Sequence, residues 1–199
     1  MRFYKLISIV LHPIMVPTLG VLAYFSFIPQ TANKELQIRV LGAIFILTYV
    51  IPLLILTLLK KLKYIKDFQV STIRERRFPV LVMIALFYFF GNVLIRVPST
   101  RELGTLFYGT SLSLGILYIF FSVALKSSLH LISMGNAIGF FLTLAYTWNL
   151  SVLPIIVSLV LTTGFLASAR LNLKAHSPLE LLVGLFLGLV SQFIVFYAL

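Results

Sequence analysis

Cysteine is absent from this chain, and acidic residues number only five: Glu35, Asp67, Glu75, Glu102 and Glu180. The first absence excludes disulfides and thiolate metal sites. The second leaves no clustered carboxylates for a hard cation, so no metal is expected. Dinucleotide, haem and nucleotide-binding motifs are also missing, and no organic cofactor is expected. Charge of either sign is scarce: 11% of the 199 residues are charged and 60% are hydrophobic, far from the balance of a soluble domain. In place of these come long apolar runs, such as residues 41–59 and 105–125. Each is close to the roughly 20 residues that cross a hydrocarbon core of about 30 Å. The expected fold is all-α, a polytopic transmembrane helical bundle forming one integral-membrane domain over residues 1–199.

Apolar lengths predict spans at about 6–28, 38–59, 79–96, 104–125, 131–147, 152–168 and 180–198, six to seven in all. The fifth and sixth are short and form a helical hairpin across the membrane only if the turn at Thr147, Trp148 and Asn149 reaches the far surface, where Trp148 suits an interfacial anchor. The first segment follows Arg2 and Lys5 like a secretory signal, but no small-x-small cleavage pattern ends it, so it reads as a retained helix. Pro13, Pro17, Pro52 and Pro154 lie within apolar segments and predict kinks or local unwinding. Gly135-x-x-x-Gly139 and Gly184-x-x-x-Gly188 offer close-packing faces, expected within the chain rather than in a homodimer seam.

The net charge is +11. Its cations sit in short loops between spans rather than on a soluble domain, which points to membrane orientation and anionic head groups, not nucleic acid. With seven crossings, the loops at 60–78, 126–130 and 169–179 share one face with the N-terminus. That face carries Arg2, Lys5, Lys60, Lys61, Lys63, Lys66, Arg74, Arg76, Arg77, Lys126, Arg170 and Lys174; Lys34, Arg39, Arg96 and Arg101 lie opposite. The positive-inside rule makes the richer face cytoplasmic, and the expected location is a bacterial cytoplasmic (inner) membrane.

Three polar clusters fall on this face. Asp67 to Pro79 sets Arg74, Arg76 and Arg77 just before a span, which reads as an orientation signal when taken alone. Lys126-Ser127-Ser128-Leu129-His130 puts an ammonium, two hydroxyls and an imidazole at a helix N-terminus, where free N–H groups favour anions; either serine also suits an N-cap. Arg170 to Glu180 places Pro178 in the first turn of the last helix. His176 and Glu180, four apart, can face one another, so that the carboxylate keeps one imidazole nitrogen protonated and turns the other toward a substrate. The alternative is a Glu that complements the helix dipole beside an incidental histidine. Together the three clusters supply cations, two histidines, one carboxylate and helix-end amides, an inventory for metal-independent phosphoryl transfer.

These residues resemble the PAP2 superfamily, the type 2 phosphatidic acid phosphatases, whose signatures are K-x6-R-P, P-S-G-H and S-R-x5-H-x3-D. Arg170-x5-His176-x3-Glu180 keeps the third spacing with Glu for Asp. Ser128-Leu129-His130 is similar to the S-G-H core, with Leu in place of glycine and Ser127 in place of proline. Arg76, or Arg77-Phe78-Pro79, resembles the end of the first signature, but Gln69 and Val70 stand where its lysine belongs. The motifs cover about 67–180, and the first two helices carry none.

The resemblance implies a PAP2-like core and a set of roles. His176 is the nucleophile that forms a phosphohistidine, Glu180 orients it and His130 protonates the leaving oxygen. Arg170, one or more of Arg74, Arg76 and Arg77, Lys126 and Ser128 bind the phosphoryl group. The implied activity is hydrolysis of a lipid phosphomonoester or diphosphate: phosphatidic acid, phosphatidylglycerol phosphate or a polyprenyl diphosphate. The expected partners are this substrate and membrane lipids. Two alternatives stay open: a non-catalytic lipid-binding or transport protein, motivated by the altered first motif and the prolines, and a membrane scaffold. His12, before Pro13, either lines a substrate cleft or satisfies a helix kink, the latter being favoured.

Overall fold

The computed structural model describes residues 2–28, 32–68, 70 and 72–199. Gln69, one of the two positions for a first-motif lysine, lies outside them, as does the Arg2 side chain. Apolar chain in lipid must satisfy its own backbone N–H and C=O groups, and helices do so within one segment. The elements are α1 (Arg2–Val10), α2 (Val16–Phe27), α3 (Lys34–Phe45), α4 (Ile51–Lys61), α5 (Ile73–Ile95), α6 (Arg101–Phe120), α7 (Leu129–Trp148), α8 (Leu153–Asn172) and α9 (Pro178–Ala198).

Six stretches are long and apolar enough to cross a membrane: Lys34–Lys61, Ile73–Ile95, Pro98–Val123, Leu129–Trp148, Leu153–Asn172 and Pro178–Ala198. The chain is an integral membrane protein with an all-helical bundle. The fifth and sixth segments are longer than expected, α7 and α8 having 20 residues each, about 30 Å at 1.5 Å per residue, enough for the hairpin they form to reach the far surface. Helices α5 and α9 also begin before their expected spans. Thr72 with Glu75, and Ser177 with Glu180, form capping boxes that carry the helix out past the apolar run.

The prolines act in different ways. Residues 11–15, with Pro13 at their centre, break the first segment into α1 and α2. Ser8 at one end meets His130 and Arg170, and Tyr24 at the other donates to Glu102 at the start of α6 (3.2 Å). The broken segment therefore runs from the polar face toward the opposite end of the bundle, although its apolar helix α2 is shorter than the six long stretches. Pro52 follows a π-helical turn, Ile46–Val50, that joins α3 to α4 in one 28-residue rod; lacking an N–H, proline leaves a carbonyl free in the preceding turn. Pro154 causes no kink. It occupies the first turn of α8, where its missing N–H costs nothing.

Helix α7 is the most buried of the long helices, and α9 packs along it. The two glycine pairs face each other across this seam within one chain. A Cβ on Gly135 would lie 2.1 Å from the Leu185 carbonyl oxygen, and one on Gly188 would lie 2.1 Å from that of Ile132. Gly188→Ala should force the helices apart and destabilise the protein by about 1–3 kcal/mol. Thermal unfolding in detergent reads this, and an unchanged midpoint would contradict the close approach. Deeper in the bundle, the Asn136 amide donates to Ser113 Oγ (3.0 Å), and Gln192 Nε2 donates to Asn136 Oδ1 (2.9 Å) and the Leu106 carbonyl (3.1 Å). This network pins α6, α7 and α9 where no water satisfies polar groups.

Helices α4, α6 and α8 all end on the polar face in a 6→1 turn around a left-handed residue; after α6 the Leu125 N–H reaches the Phe120 carbonyl with Ala124 at φ 57°. After α4, the Tyr64 N–H reaches the Leu59 carbonyl with Lys63 at φ 59°; after α8, the Ala175 N–H reaches that of Arg170 with Lys174 at φ 51°.

Candidate functional site

The turns before α5, α7 and α9 converge. Arg76, buried in the first turn of α5, donates from Nε to the Val70 carbonyl (2.8 Å) and from Nη1 to that of Ser127 (3.1 Å). Val70 presents that carbonyl from a left-handed backbone, φ 47°, an unusual state for a β-branched residue. The Ser127 hydroxyl (3.1 Å) and the Ser128 N–H (3.2 Å) both donate to the Glu180 carbonyl, stitching the start of α7 to the start of α9. The shared face expected for the three clusters is thus a set of direct bonds.

The Ser177–Glu180 capping box builds the centre of the site. Glu180 Oε2 accepts from the Ser177 N–H (3.3 Å) while lying 2.7 Å from His176 Nδ1. The His176 side chain is 1% exposed and that of Glu180 24%. Burial pushes the His176 imidazole below its ordinary 6.5; Glu180 pulls it up, and Arg76, Arg170 and Lys126 push it further down. A neutral ring follows, with Nδ1–H donated to Glu180 and a lone pair left on Nε2. Lys126 is likewise held below its ordinary range by partial burial and by Arg76 and Arg170, although Glu180 opposes the shift.

Of the three arginines of the first cluster, Arg76 joins the site. Arg74 is exposed, and Arg77 is exposed with Nη2 donated to the Phe121 carbonyl (3.4 Å). Arg170, in the last turn of α8, donates from Nη1 to Ser8 Oγ (2.9 Å). Ser128 stands at the N-cap of α7, yet its hydroxyl does not cap. Ser128 Oγ and Arg170 Nε are buried with no hydrogen-bond partner among the described residues. Unmet donors beside cations are costly unless a ligand answers them.

Sequence reading missed Ser8, which contacts His130 through both its carbonyl (3.2 Å) and its hydroxyl (3.4 Å). Its signal was a lone hydroxyl in the apolar run Leu6-Ile7-Ser8-Ile9-Val10, four residues before His12. His12 has its ring edge against His130, with centroids 5.3 Å apart, and it lines a cavity, in addition to the favoured structural role. Its Nδ1 accepts from the Ile14 N–H in the helix break (3.4 Å), so it serves the kink as well.

The cavity is about 1410 Å³, including its open mouth. Arg76, His12, His130, Arg170 and His176 stand at the mouth, and Pro79, Met83, Phe87, Phe107, Phe140 and Phe141 line the interior. His130 and Phe140 are ten residues apart on α7, so the apolar interior runs about 15 Å below the mouth.

No family model matches the chain, and no curated protein or solved structure is significantly similar to it.

The arrangement itself can bind an anion at guanidinium and hydroxyl donors, present a neutral imidazole nucleophile to it, and admit a long apolar group below. Among the described residues no three His, Asp or Glu are disposed to hold a metal ion.

Proposed function

We propose that the chain is a divergent PAP2-type lipid phosphatase. The observation that carries this reading is the pairing of a histidine held by a carboxylate, His176 with Glu180, with unpartnered anion donors at the mouth of a deep apolar cavity. A phosphate ester bearing a hydrocarbon chain fits both halves. The lipid class is that of phosphatidic acid, phosphatidylglycerol phosphate or a polyprenyl diphosphate.

In the proposed reaction, His176 Nε2 attacks phosphorus as the bond to the leaving oxygen breaks, giving a phosphohistidine. Glu180 steadies the positive charge that develops on the ring. His130, taken to its imidazolium form as the anionic substrate binds, gives the proton on the nitrogen that Ser8 does not engage to the leaving oxygen, then recovers one from the water that attacks the phosphohistidine. Phosphate departs and His176 is restored. Arg76, Arg170 and Lys126 hold the phosphoryl oxygens, with planar guanidinium forks suited to charge spread over three atoms. The Lys126 ammonium stands in for the missing first-motif lysine. Membrane placement follows the same reading: a bacterial cytoplasmic membrane, with the basic face in the cytoplasm.

Purified protein should release phosphate from at least one of these lipids with EDTA present, and labelled substrate should leave an acid-labile phosphohistidine. A non-catalytic lipid carrier, favoured by the broken α1–α2 segment, predicts lipid binding without that adduct. Failure of every lipid phosphate in the panel would sink the enzymatic reading.

A further inference from the structure

The resemblance to known phosphatases begins near residue 67, yet α1, far upstream, reaches the centre of the site. Its contact is Ser8, 8% exposed. The hydroxyl accepts from Arg170 Nη1 at 2.9 Å and lies 3.4 Å from His130 Nε2; the Ser8 carbonyl lies 3.2 Å from the same nitrogen. Because a carbonyl only accepts, Nε2 carries the hydrogen and Nδ1 is the nitrogen left to exchange protons. His12 lies edge-on to the same ring, restricting its rotation. Arg170 has no other side-chain hydrogen bond among the described residues. One hydroxyl therefore links a cation to an imidazole from an element that the recognised motifs do not include.

Building on the phosphatase reading, we propose that Ser8 is a positioning residue, whose hydroxyl ties the Arg170 guanidinium to the His130 imidazole and keeps both set for the phosphoryl group. A guanidinium carries five N–H donors in a fixed fork. Anchoring Nη1 on Ser8 fixes the plane of that fork, so that Nε and the remaining donors are oriented before an anion arrives. Without the anchor, Arg170 must be ordered by the substrate itself, which weakens binding of the transition state more than binding of the lipid tail.

The test uses the full chain in detergent with Ser8→Ala and Ser8→Thr. Orthovanadate, a mimic of the phosphoryl transition state, is titrated by direct binding, and the ring nitrogens of His130 are followed by 15N NMR as pH is varied. Ser8→Ala should bind vanadate about tenfold more weakly, the effect of losing one hydrogen bond to a charged group, and should shift the His130 ring signals. Turnover should fall by a similar factor with little change in KM, and Ser8→Thr should restore all three. Should Ser8→Ala not fold, Ser8→Cys keeps the packing of α1 with a much poorer acceptor and should show the same losses. Unchanged vanadate affinity and unchanged His130 signals in Ser8→Ala overturn the proposal whatever the turnover. Absence of vanadate binding in the unaltered protein overturns it too. Vanadate binding without hydrolysis of any lipid phosphate removes the phosphatase reading and leaves Ser8 to be judged on affinity and NMR alone.

Discussion

His176→Ala should lower phosphate release by roughly 10⁴-fold or more, the scale seen when the nucleophile of a catalytic unit is removed. The physical basis is that His176 is the buried ring at the cavity mouth with one nitrogen committed to Glu180 and the other unengaged. A variant that kept full activity would remove His176 from the chemistry and with it the phosphohistidine. The pH profile of the unaltered protein carries the same point. Because burial and three neighbouring cations hold His176 below its ordinary 6.5, the reactive neutral form persists as pH falls through 6.5. Activity is lost only at lower pH, when the ring takes up a proton. An acid limb centred at or above 6.5 would contradict a neutral buried nucleophile.

Glu180→Gln should cost roughly 10³-fold in turnover while leaving the fold in place, by comparison with the about 10⁴-fold loss when a triad aspartate becomes an amide. This substitution separates two duties of one side chain. Glu180 closes the capping box of α9 and also accepts from His176. Glutamine still serves a capping box, so the helix start survives, but an amide offers no charge to steady a developing imidazolium. Measured together, kcat and the thermal midpoint distinguish the two roles: a large fall in kcat with a nearly constant midpoint is expected. A parallel collapse of both would show that the carboxylate acts mainly on folding. The capping box also gives a physical reason for glutamate where the resembled motif has aspartate, since the side chain must reach back to the N-cap N–H as well as to the imidazole.

The bundle was legible because apolar length in a membrane leaves few choices. The convergence of Arg76, Ser127, Ser128, His176 and Glu180 was legible because an even number of crossings returns a chain to the same face. Helix starts were read late by several residues, since polarity ends an apolar run before it ends a helix. Thr72-x-x-Glu75 and Ser177-x-x-Glu180 carried the missing signal. Choosing among Arg74, Arg76 and Arg77 was beyond sequence spacing alone: neighbours on a helix point about 100° apart, and only packing against the turn at Ser127 selects Arg76. Ser8 was hidden for a different reason. A single hydroxyl in an apolar helix acquires meaning from partners 122 and 162 residues away, and no local pattern announces them.

Of the three left-handed helix ends on this face, those at Lys63 and Lys174 bear on how it keeps its charge. A left-handed residue after a helix is ordinarily glycine, and any other side chain there costs on the order of 1 kcal/mol. Here both corners carry lysine, exposed and beside the carbonyl end of a helix dipole, where a cation recovers part of that cost. The positive potential around the cavity mouth is thus held partly against the preference of the backbone. A glycine at either corner would relax the turn and dim the field that draws an anionic head group toward Arg76 and Arg170.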